Sequence, residues 1–283
     1  MPDSLPSTAD KPRFVAAMFS RIAPRYDLMN TLMTAGQDAR WRRVVVDALL
    51  AQPSPVRDPL VSGQSSGDSR QGPGGTRQSE RPPAAPYATL TTVLDVGTGT
   101  GKLAAAILQR RAAARVVGID FAEPMVRAAR RVRPGAGPGL PSVGGQLQLA
   151  VADALRLPFA AASFDAVVSA FVVRNLADVA KGLAEQARVL RPGGRLIILE
   201  ITPGPPGLPR RLFRLAFRGL VPRLGRLVAG DPAAYTYLPD SAAAFVEPER
   251  LVDELRGLGF EGVWLRRLAL GSVALSGGTK PTA

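Results

Sequence analysis

The sequence predicts an α/β fold in which helices flank a mostly parallel, doubly wound sheet. The first observation is that apolar strand segments alternate with helical segments from residue 92 onward. The second is a turn with glycine at three alternate positions, Gly97, Gly99 and Gly101, directly after the first strand. The third is Asp120, which ends the second strand where nucleotide-binding sheets place their ribose acid. Together these observations indicate a Rossmann-like, ligand-binding sheet.

Residues 1–51 are predicted to form a tail and a helical cap over the ligand-binding edge of that sheet. A polar, loose tail over 1–11 precedes a helical apolar pattern over 14–22 and a short helix over 28–33. A longer helix over 38–51 follows, with Asp38 as its N-cap. These helices are too few to form a core alone, so we expect them to pack on the sheet domain.

Residues 52–88 separate the cap from the sheet domain, which is assigned to residues 89–283. The segment consists mainly of Pro, Gly, Ser, Gln and Arg and has almost no apolar periodicity. A segment of this kind buries too little apolar surface to offset its ordering entropy. We interpret it as a disordered insert or linker.

The sheet domain is predicted to contain seven strands. The first five are expected to be parallel, at Thr92–Val96, Val116–Ile119, Leu147–Val151, Phe164–Ala170 and Arg195–Glu200. Helices are predicted over Gly101–Arg111, Pro124–Val132, Asp178–Leu190, Pro209–Val221 and Pro248–Leu258. Two closing strands, Gly262–Leu268 and Ser272–Leu275, follow each other closely and indicate an antiparallel C-terminal edge.

The composition excludes several kinds of site and indicates which partners the chain can bind. The chain has neither Cys nor His, which excludes disulfides, thiolate or imidazole metal sites and the commonest general base. Its 36 basic and 23 acidic residues give a formal charge of +13, which favours anionic surfaces such as lipid headgroups or nucleic acid. No apolar run approaches the roughly 20 residues of a membrane span. The N-terminus lacks a signal-peptide pattern, so a cytoplasmic location is expected.

The glycine turn favours S-adenosylmethionine (SAM) over a dinucleotide. The dinucleotide fingerprint needs a glycine or alanine three residues after its second glycine, and Lys102 holds that position. A G-x-G-x-G turn is typical of SAM sites, which accommodate no pyrophosphate. Asp95 precedes the turn, and Asp120 is placed to accept hydrogen bonds from both ribose hydroxyls. A glycine turn without a ligand is the alternative.

Two further segments are expected at the same carboxyl edge of the sheet. Asp153 and Ala154 follow the third strand, where an acid can meet an adenine amino group. A loop aspartate in solvent is the alternative for Asp153. Arg174 and Asn175 follow the fourth strand, where a cation is unusual for simple packing. For Arg174 the alternative is a structural salt bridge.

Six segments carry a resemblance to a known family. They are MFSRIAPRYDLMN at 18–30, VLDVGTGTGK at 93–102, ALRLPFAAASFDAV at 154–167, FVVRN at 171–175, ARVLRPGGRLIILE at 187–200 and PRLGRLVAGDPAAYTYLPDS at 222–241. The chain resembles class I SAM-dependent methyltransferases and, more narrowly, the UbiE-type C-methyltransferases of menaquinone and ubiquinone biosynthesis. The resemblance implies SAM as cofactor and methylation of a ring carbon in a demethylated polyprenyl quinol.

The family pattern also implies site residues. For the cofactor these are Thr100, Asp120, Asp153 and Ala154, with a family serine falling on Ala170. A quinol carbon becomes nucleophilic when a neighbouring hydroxyl loses its proton, so the site must align the ring and stabilise a phenolate. Our candidates for this catalytic role are Arg174, Asn175 and Tyr26.

Departures from the pattern leave alternatives open. Lys102 stands where the family usually carries Asp, and Val172 replaces a glycine. The substrate is therefore demethylmenaquinol, a ubiquinone-pathway benzoquinol, or another small molecule or RNA for a diverged enzyme. A SAM-binding protein without activity is a further alternative. Nucleic acid is disfavoured because few aromatic residues lie among the basic ones.

A basic segment at 208–228 suggests contact with membranes. Its apolar residues recur at helical spacing, and six arginines lie between Arg210 and Arg226 with no acid before Asp231. A basic amphipathic helix can lie on anionic lipid. A helix whose apolar face covers the sheet is the alternative.

Overall fold

The computed structural model describes residues 6–51, 90–110, 115–131, 146–202 and 247–282, with isolated positions between 204 and 245. The predicted insert at 52–88 and, apart from Gly219, the basic segment at 208–228 with its predicted helix lie outside the described residues. Within the described ranges, no helix has the length and apolar character to cross a membrane.

Seven strands form one sheet in the order β3-β2-β1-β4-β5-β7-β6. They are β1 Thr92–Val96, β2 Arg115–Asp120, β3 Leu147–Val151, β4 Phe164–Ala170, β5 Leu190–Ile201, β6 Glu261–Leu268 and β7 Val273–Thr279. Strands β1 to β5 are parallel, and β7 runs antiparallel between β5 and β6. The predicted mostly parallel, seven-stranded sheet with an antiparallel C-terminal edge is confirmed.

Seven α-helices accompany the sheet within the described residues. They are α1 Lys11–Ile22, α2 Tyr26–Met33, α3 Gln37–Leu50, α4 Lys102–Arg110, α5 Glu123–Ala129, α6 Val179–Val189 and α7 Pro248–Gly257. On one face of the sheet, α3 and α4 bury residues such as Val45 and Leu108 against the strands. On the other face, α6 and α7 bury Leu183 and Leu255. Both faces are thus covered, as a parallel sheet requires.

The N-terminal helices form a third apolar cluster at the carboxyl edge of the sheet. Met18 and Met29 are fully buried there, against Met125 of α5. The prediction of a loose tail over residues 1–11 is wrong for the second half of that range. Ser7 and Asp10 form a turn whose side chains are joined at 2.6 Å, and the Ser7 carbonyl accepts the Lys11 amide at 2.8 Å. This turn begins α1.

Two predicted boundaries are wrong for instructive reasons. Gly36, with φ of 75°, takes the N-cap position of α3, and Asp38 lies buried in the first turn, paired with Arg42 at 2.9 Å. Strand β5 begins at Leu190, before the predicted turn, because residues 191–194 form a bulge within it. The first outcome depends on the left-handed backbone of Gly36, and the second on the pairing of β5 with β4.

Candidate active site

The glycine turn after β1 has a left-handed backbone at each of its three glycines. The φ angles are 67° at Gly97, 56° at Gly99 and 79° at Gly101, a region that residues with a side chain rarely adopt. A Cβ at Gly97 would lie 2.1 Å from Cγ2 of Val172, and one at Gly101 would lie 3.1 Å from Ala129. Gly101 therefore allows the start of α4 to pack closely on α5, and its role in cofactor binding stays a prediction.

Asp120 fastens this turn to the end of β2. Its Oδ2 accepts the amide of Gly99 at 2.9 Å, and its Oδ1 accepts the amide of Ala122 at 2.9 Å. Burial raises the pKa of Asp120, although these backbone hydrogen bonds oppose the rise. Each carboxylate oxygen has a further lone pair, so the side chain can still accept bonds from a ligand.

Asp95 is the most deeply buried carboxylate of the turn, with 1% of its surface exposed. The Thr98 hydroxyl donates to its Oδ2 at 2.7 Å. Burial raises the pKa of Asp95 to about 7, and the negative charge of Asp120 adds to the rise. A cation bound beside the turn would therefore favour the ionised form of this carboxyl.

Two clefts meet over the glycine turn. The first, which we call the sheet cleft, has a volume of about 830 Å³, partly open to solvent, and is lined by Gly97, Gly99, Asp120, Asp153, Ala154 and Ala170. Helix α1 contributes Val15 and Phe19 to its wall. Six of the predicted cofactor residues thus come together in one cleft.

The second cleft, the cap cleft, has a volume of about 900 Å³ and lies between α2, α3 and the carboxyl ends of β1 and β4. It is lined by Tyr26, Trp41, Asp95, Thr100, Phe171 and Arg174. Five residues line both clefts and mark their junction: Tyr26, Gly97, Gly99, Ala170 and Phe171.

Tyr26, the first residue of α2, stands at this junction. Its Cε1 lies 3.8 Å from the point where a Cβ of Gly99 would be. The ring of Phe19 meets it edge-on at 5.8 Å between centroids. Burial raises the pKa of the Tyr26 hydroxyl, and a hydrogen bond with Asn30 opposes the rise. The structure thus places this catalytic candidate directly over the turn.

Asp27 connects the cap to the glycine turn. Its Oδ1 accepts the hydroxyl of Thr100 at 2.7 Å, and its Oδ2 lies 3.3 Å from Nζ of Lys102. The positive charge of Lys102 is therefore compensated by the cap. Asp27 is not among the predicted site residues, although it lies within the N-terminal segment that carries the resemblance.

Arg174 lies in the 3-10 turn after β4 and is 6% exposed. Its Nη1 is 2.5 Å from Oε1 of Glu200 and donates to the Phe171 carbonyl at 3.0 Å. Arg174 thus forms the structural salt bridge that was the alternative to a catalytic role. Arg174 nevertheless lines the cap cleft, and its buried Nε has no hydrogen-bond partner among the described residues.

Asn175 lines the sheet cleft and is held at both ends of its amide. Its Nδ2 donates to the Phe171 carbonyl at 3.2 Å, and its Oδ1 accepts the Tyr237 hydroxyl at 3.2 Å. Tyr237 is 5% exposed, and its ring lies 5.1 Å from that of Phe14. Tyr237 is not among the predicted site residues either, although the C-terminal segment of the resemblance contains it.

Two of the predicted cofactor residues, Asp153 and Ala170, offer fewer polar contacts to a ligand than Asp120 does. Asp153 is exposed at the sheet cleft, and its Oδ1 accepts the Leu155 amide at 2.9 Å. Ala170 lines both clefts, whereas the neighbouring Ser169 is buried and has no hydrogen-bond partner for its hydroxyl among the described residues. The family serine position is thus occupied by a residue without a polar group.

Comparison with known proteins finds a matching family and several similar enzymes. The model of the ubiE/COQ5 methyltransferase family matches residues 7–64 and 78–280. The demethylmenaquinone methyltransferase of Deinococcus radiodurans is 41% identical over 255 residues, which are 89% of this chain and 86% of that protein. The enzyme of the same name from Thermus thermophilus is 39% identical over 264 residues, 93% of this chain and 100% of that protein. The ubiquinone/menaquinone biosynthesis C-methyltransferase UbiE of Desulfotalea psychrophila is 36% identical, covering 94% of this chain and 90% of that protein.

Proposed function

The chain belongs to the ubiE/COQ5 methyltransferase family, and we propose that it methylates a ring carbon of demethylmenaquinol with SAM as methyl donor. The observation that carries this proposal is the junction of the two clefts at Tyr26 and Gly99. The sheet cleft fits a nucleoside, and the cap cleft fits an aromatic ring. The names of the Deinococcus and Thermus relatives support menaquinone over ubiquinone, and that of the Desulfotalea relative makes a benzoquinol the second candidate.

The residues of the sheet cleft fit SAM. The turn offers backbone without side chains at Gly97 and Gly99, and Asp120 retains acceptor capacity for ribose hydroxyls. Asp95 lies buried beneath the turn with its pKa raised to about 7, so a cationic ligand beside it would favour its ionised form and be complemented by that charge. SAM supplies a methyl group on a cationic sulfur, which the nucleophilic ring carbon takes as the sulfur–methyl bond breaks.

The cap cleft fits the quinol ring. Trp41 and Phe171 pack edge-on at 6.1 Å between centroids and provide an apolar wall. The unpartnered Nε of Arg174 is a donor for a ring oxygen, and a directed donor stabilises the charge that develops on that oxygen. Tyr26 can hold the ring in line with the methyl group, which is the alignment that methyl transfer requires.

The hydroxyl proton of the quinol needs an acceptor. The carboxylates of the cap cleft are engaged: Asp27 with Thr100, Asp38 with Arg42, and Asp95 with Thr98. The chain has no His. We therefore propose that water accepts the hydroxyl proton while Arg174 stabilises the remaining oxyanion. After methyl transfer, water also takes the proton of the methylated ring carbon, which restores the aromatic ring.

Incubation of the purified protein with SAM labelled on its methyl group tests this function. Demethylmenaquinol, a demethylated benzoquinol and RNA are offered in separate reactions. We expect label in menaquinol at the highest kcat/KM. Cofactor binding without label in either quinol would refute the proposal, and preferential labelling of the benzoquinol would assign the enzyme to the ubiquinone pathway.

We also propose that the basic segment at 208–228 draws the enzyme to anionic membranes, from which a lipid-tailed quinol must be collected. Its charge and apolar spacing support this proposal. Co-sedimentation with anionic and neutral vesicles at low and high salt is the test. We expect salt-sensitive binding to the anionic vesicles only. Equal binding to both kinds would contradict it.

A further inference from the structure

Glu200 is a fully buried carboxylate beside the candidate site, with 0% of its surface exposed. Its Oε1 accepts Nη1 of Arg174 at 2.5 Å and the amide of Ile201 at 2.9 Å. Its Oε2 accepts the backbone amide of Arg174 at 3.1 Å. One side chain therefore holds both the backbone and the guanidinium of Arg174.

The position of Glu200 follows from the sheet. Strands β4 and β5 are parallel, with Ala170 opposite Leu199, so Glu200 lies directly below the loop that leaves β4. That loop turns sharply, with a left-handed φ of 61° at Phe171. The carboxylate thus supports a strained connection at the carboxyl edge, where the two clefts meet.

The guanidinium is only partly satisfied by these contacts. Nη1 bonds Glu200 and the Phe171 carbonyl, whereas Nε is buried and has no hydrogen-bond partner among the described residues. A buried donor without an acceptor is costly, so an acceptor from a ligand in the cap cleft would be favoured there. Because Glu200 occupies one edge of the guanidinium, it determines which edge remains for that ligand.

We propose that Glu200 is a positioning residue for methyl transfer, holding Arg174 so that its free N–H meets a substrate oxygen in the cap cleft. This inference rests on the proposed function. Glu200 does not touch the substrate; it acts through Arg174. Its charge also compensates that of Arg174, so the pair offers a directed hydrogen bond rather than a net positive charge.

Other charged and titratable groups face the pair from the elements packed around it. Nζ of Lys11, in α1, donates to the carbonyls of Arg174 at 2.9 Å and Leu176 at 2.8 Å. The positive charge of Arg174 also acts on the hydroxyls of Tyr26 and Tyr237, where it opposes the rise in pKa that burial causes. All of these groups remain when Glu200 is changed, but the pKa values of Lys11 and Tyr237, which the charge of Glu200 raises, would fall. The acidic limb alone is therefore compared between variants.

Glu200→Gln separates positioning from a merely structural role. The amide places an NH2 group against the Arg174 backbone amide and removes one negative charge. We expect kcat to fall about tenfold or more because the donor is displaced. The acidic limb of the kcat profile should move to lower pH by about one unit, since an uncompensated cation favours the quinolate. SAM affinity should stay within about twofold, because Glu200 lies outside the sheet cleft.

Glu185→Gln is the matched control. Glu185 also pairs with an arginine, Arg188 at 2.7 Å, and accepts a backbone amide, that of Leu157 at 2.7 Å, but it lines neither cleft. Its variant should keep the kcat and pH profile of the wild type. Glu200→Asp keeps the charge with a shorter reach, so we expect a lower kcat with the acidic limb unchanged.

The outcomes are distinguishable. A wild-type enzyme that labels no quinol refutes the proposed function. A wild type that labels quinol, with a folded Glu200→Gln variant of unchanged acidic limb, overturns the positioning role alone. If Glu200→Gln does not fold, Glu200→Asp decides, because wild-type kcat in that variant also overturns the inference.

Discussion

The two clefts are built in different ways, although they share one wall. In the sheet cleft, Asp120 bonds backbone amides of Gly99 and Ala122, so adjacent strands and their turns supply the contacts. In the cap cleft, side chains from distant segments meet, as in the pairs Asp27–Thr100 and Arg174–Glu200. The polar contacts of the sheet cleft therefore follow from the sheet itself, and α1 adds only part of its apolar wall. The cap cleft exists only once the cap has docked.

The largest expected effect is at Arg174, in the cap cleft. Arg174→Lys should lower kcat by about 100-fold or more while SAM affinity changes little, because a point charge lacks the planar fork of the guanidinium. Arg174→Ala should in addition lose about 3–5 kcal/mol of stability, since it leaves Glu200 buried and unpaired.

Turnover, calorimetric SAM titration and melting of both Arg174 variants are the measurements. Arg188→Ala is the control, because Arg188 pairs with Glu185 at a more exposed site. A folded Arg174→Lys enzyme with wild-type turnover would show that the pair is purely structural.

Asp120 tests the sheet cleft. Asp120→Ala should weaken SAM binding by about 2–3 kcal/mol, because charge-assisted bonds to the ribose and the anchor of Gly99 are both lost. Calorimetry measures the affinity. Asp165→Ala is the control, since Asp165 accepts the amides of Thr91 and Thr92 at the opposite edge of the sheet. Equal losses of affinity in both variants would remove the specific role of Asp120.

The raised pKa of Asp95 makes stability depend on pH. Between 3.8 and about 7 the folded protein holds a proton that the unfolded chain releases, so the free energy of unfolding falls as pH rises through this window. Asp95→Asn should remove this contribution to the pH dependence. Between pH 5 and pH 8 the free energy of unfolding of the variant should therefore fall by about 2 kcal/mol less than that of the wild type. Denaturant unfolding at both pH values measures it, with the exposed Asp253→Asn as control. Parallel pH profiles for wild type and Asp95→Asn would contradict the shift.

The smallest expected effect is at Lys102, where cap and turn meet. Its bridge to Asp27 is between side chains 36% and 40% exposed, so we expect Lys102→Met to cost under about 1 kcal/mol. Lys102→Asp should cost somewhat more, because it adds a like charge beside Asp27. Melting of both variants, alone and combined with Asp27→Asn, measures the coupling. A destabilisation by Lys102→Asp that persists beside Asp27→Asn would place its cause elsewhere.

Three strands have the bounds predicted from the sequence: Thr92–Val96, Leu147–Val151 and Phe164–Ala170. Each is an apolar run between polar or turn-forming residues, and such runs report strand formation through local composition alone. Strand β7 was predicted to end at Leu275, yet it continues through Gly277. A Cβ at Gly277 would lie 2.8 Å from Trp264, so this glycine is in the strand for packing that its own segment does not reveal.

By itself, the sequence determined the parallel sheet, its glycine turn and the acid that ends β2, because strand propensity and left-handed glycines depend on short stretches of chain. It also brought forward Arg174 as a candidate. Only the tertiary structure decided which partner Arg174 has. The contacts around the two clefts join residues 26, 62 and 73 positions apart, in the pairs Arg174–Glu200, Asn175–Tyr237 and Asp27–Thr100. Side chains this far apart meet only through the packing of whole elements, which no local pattern encodes.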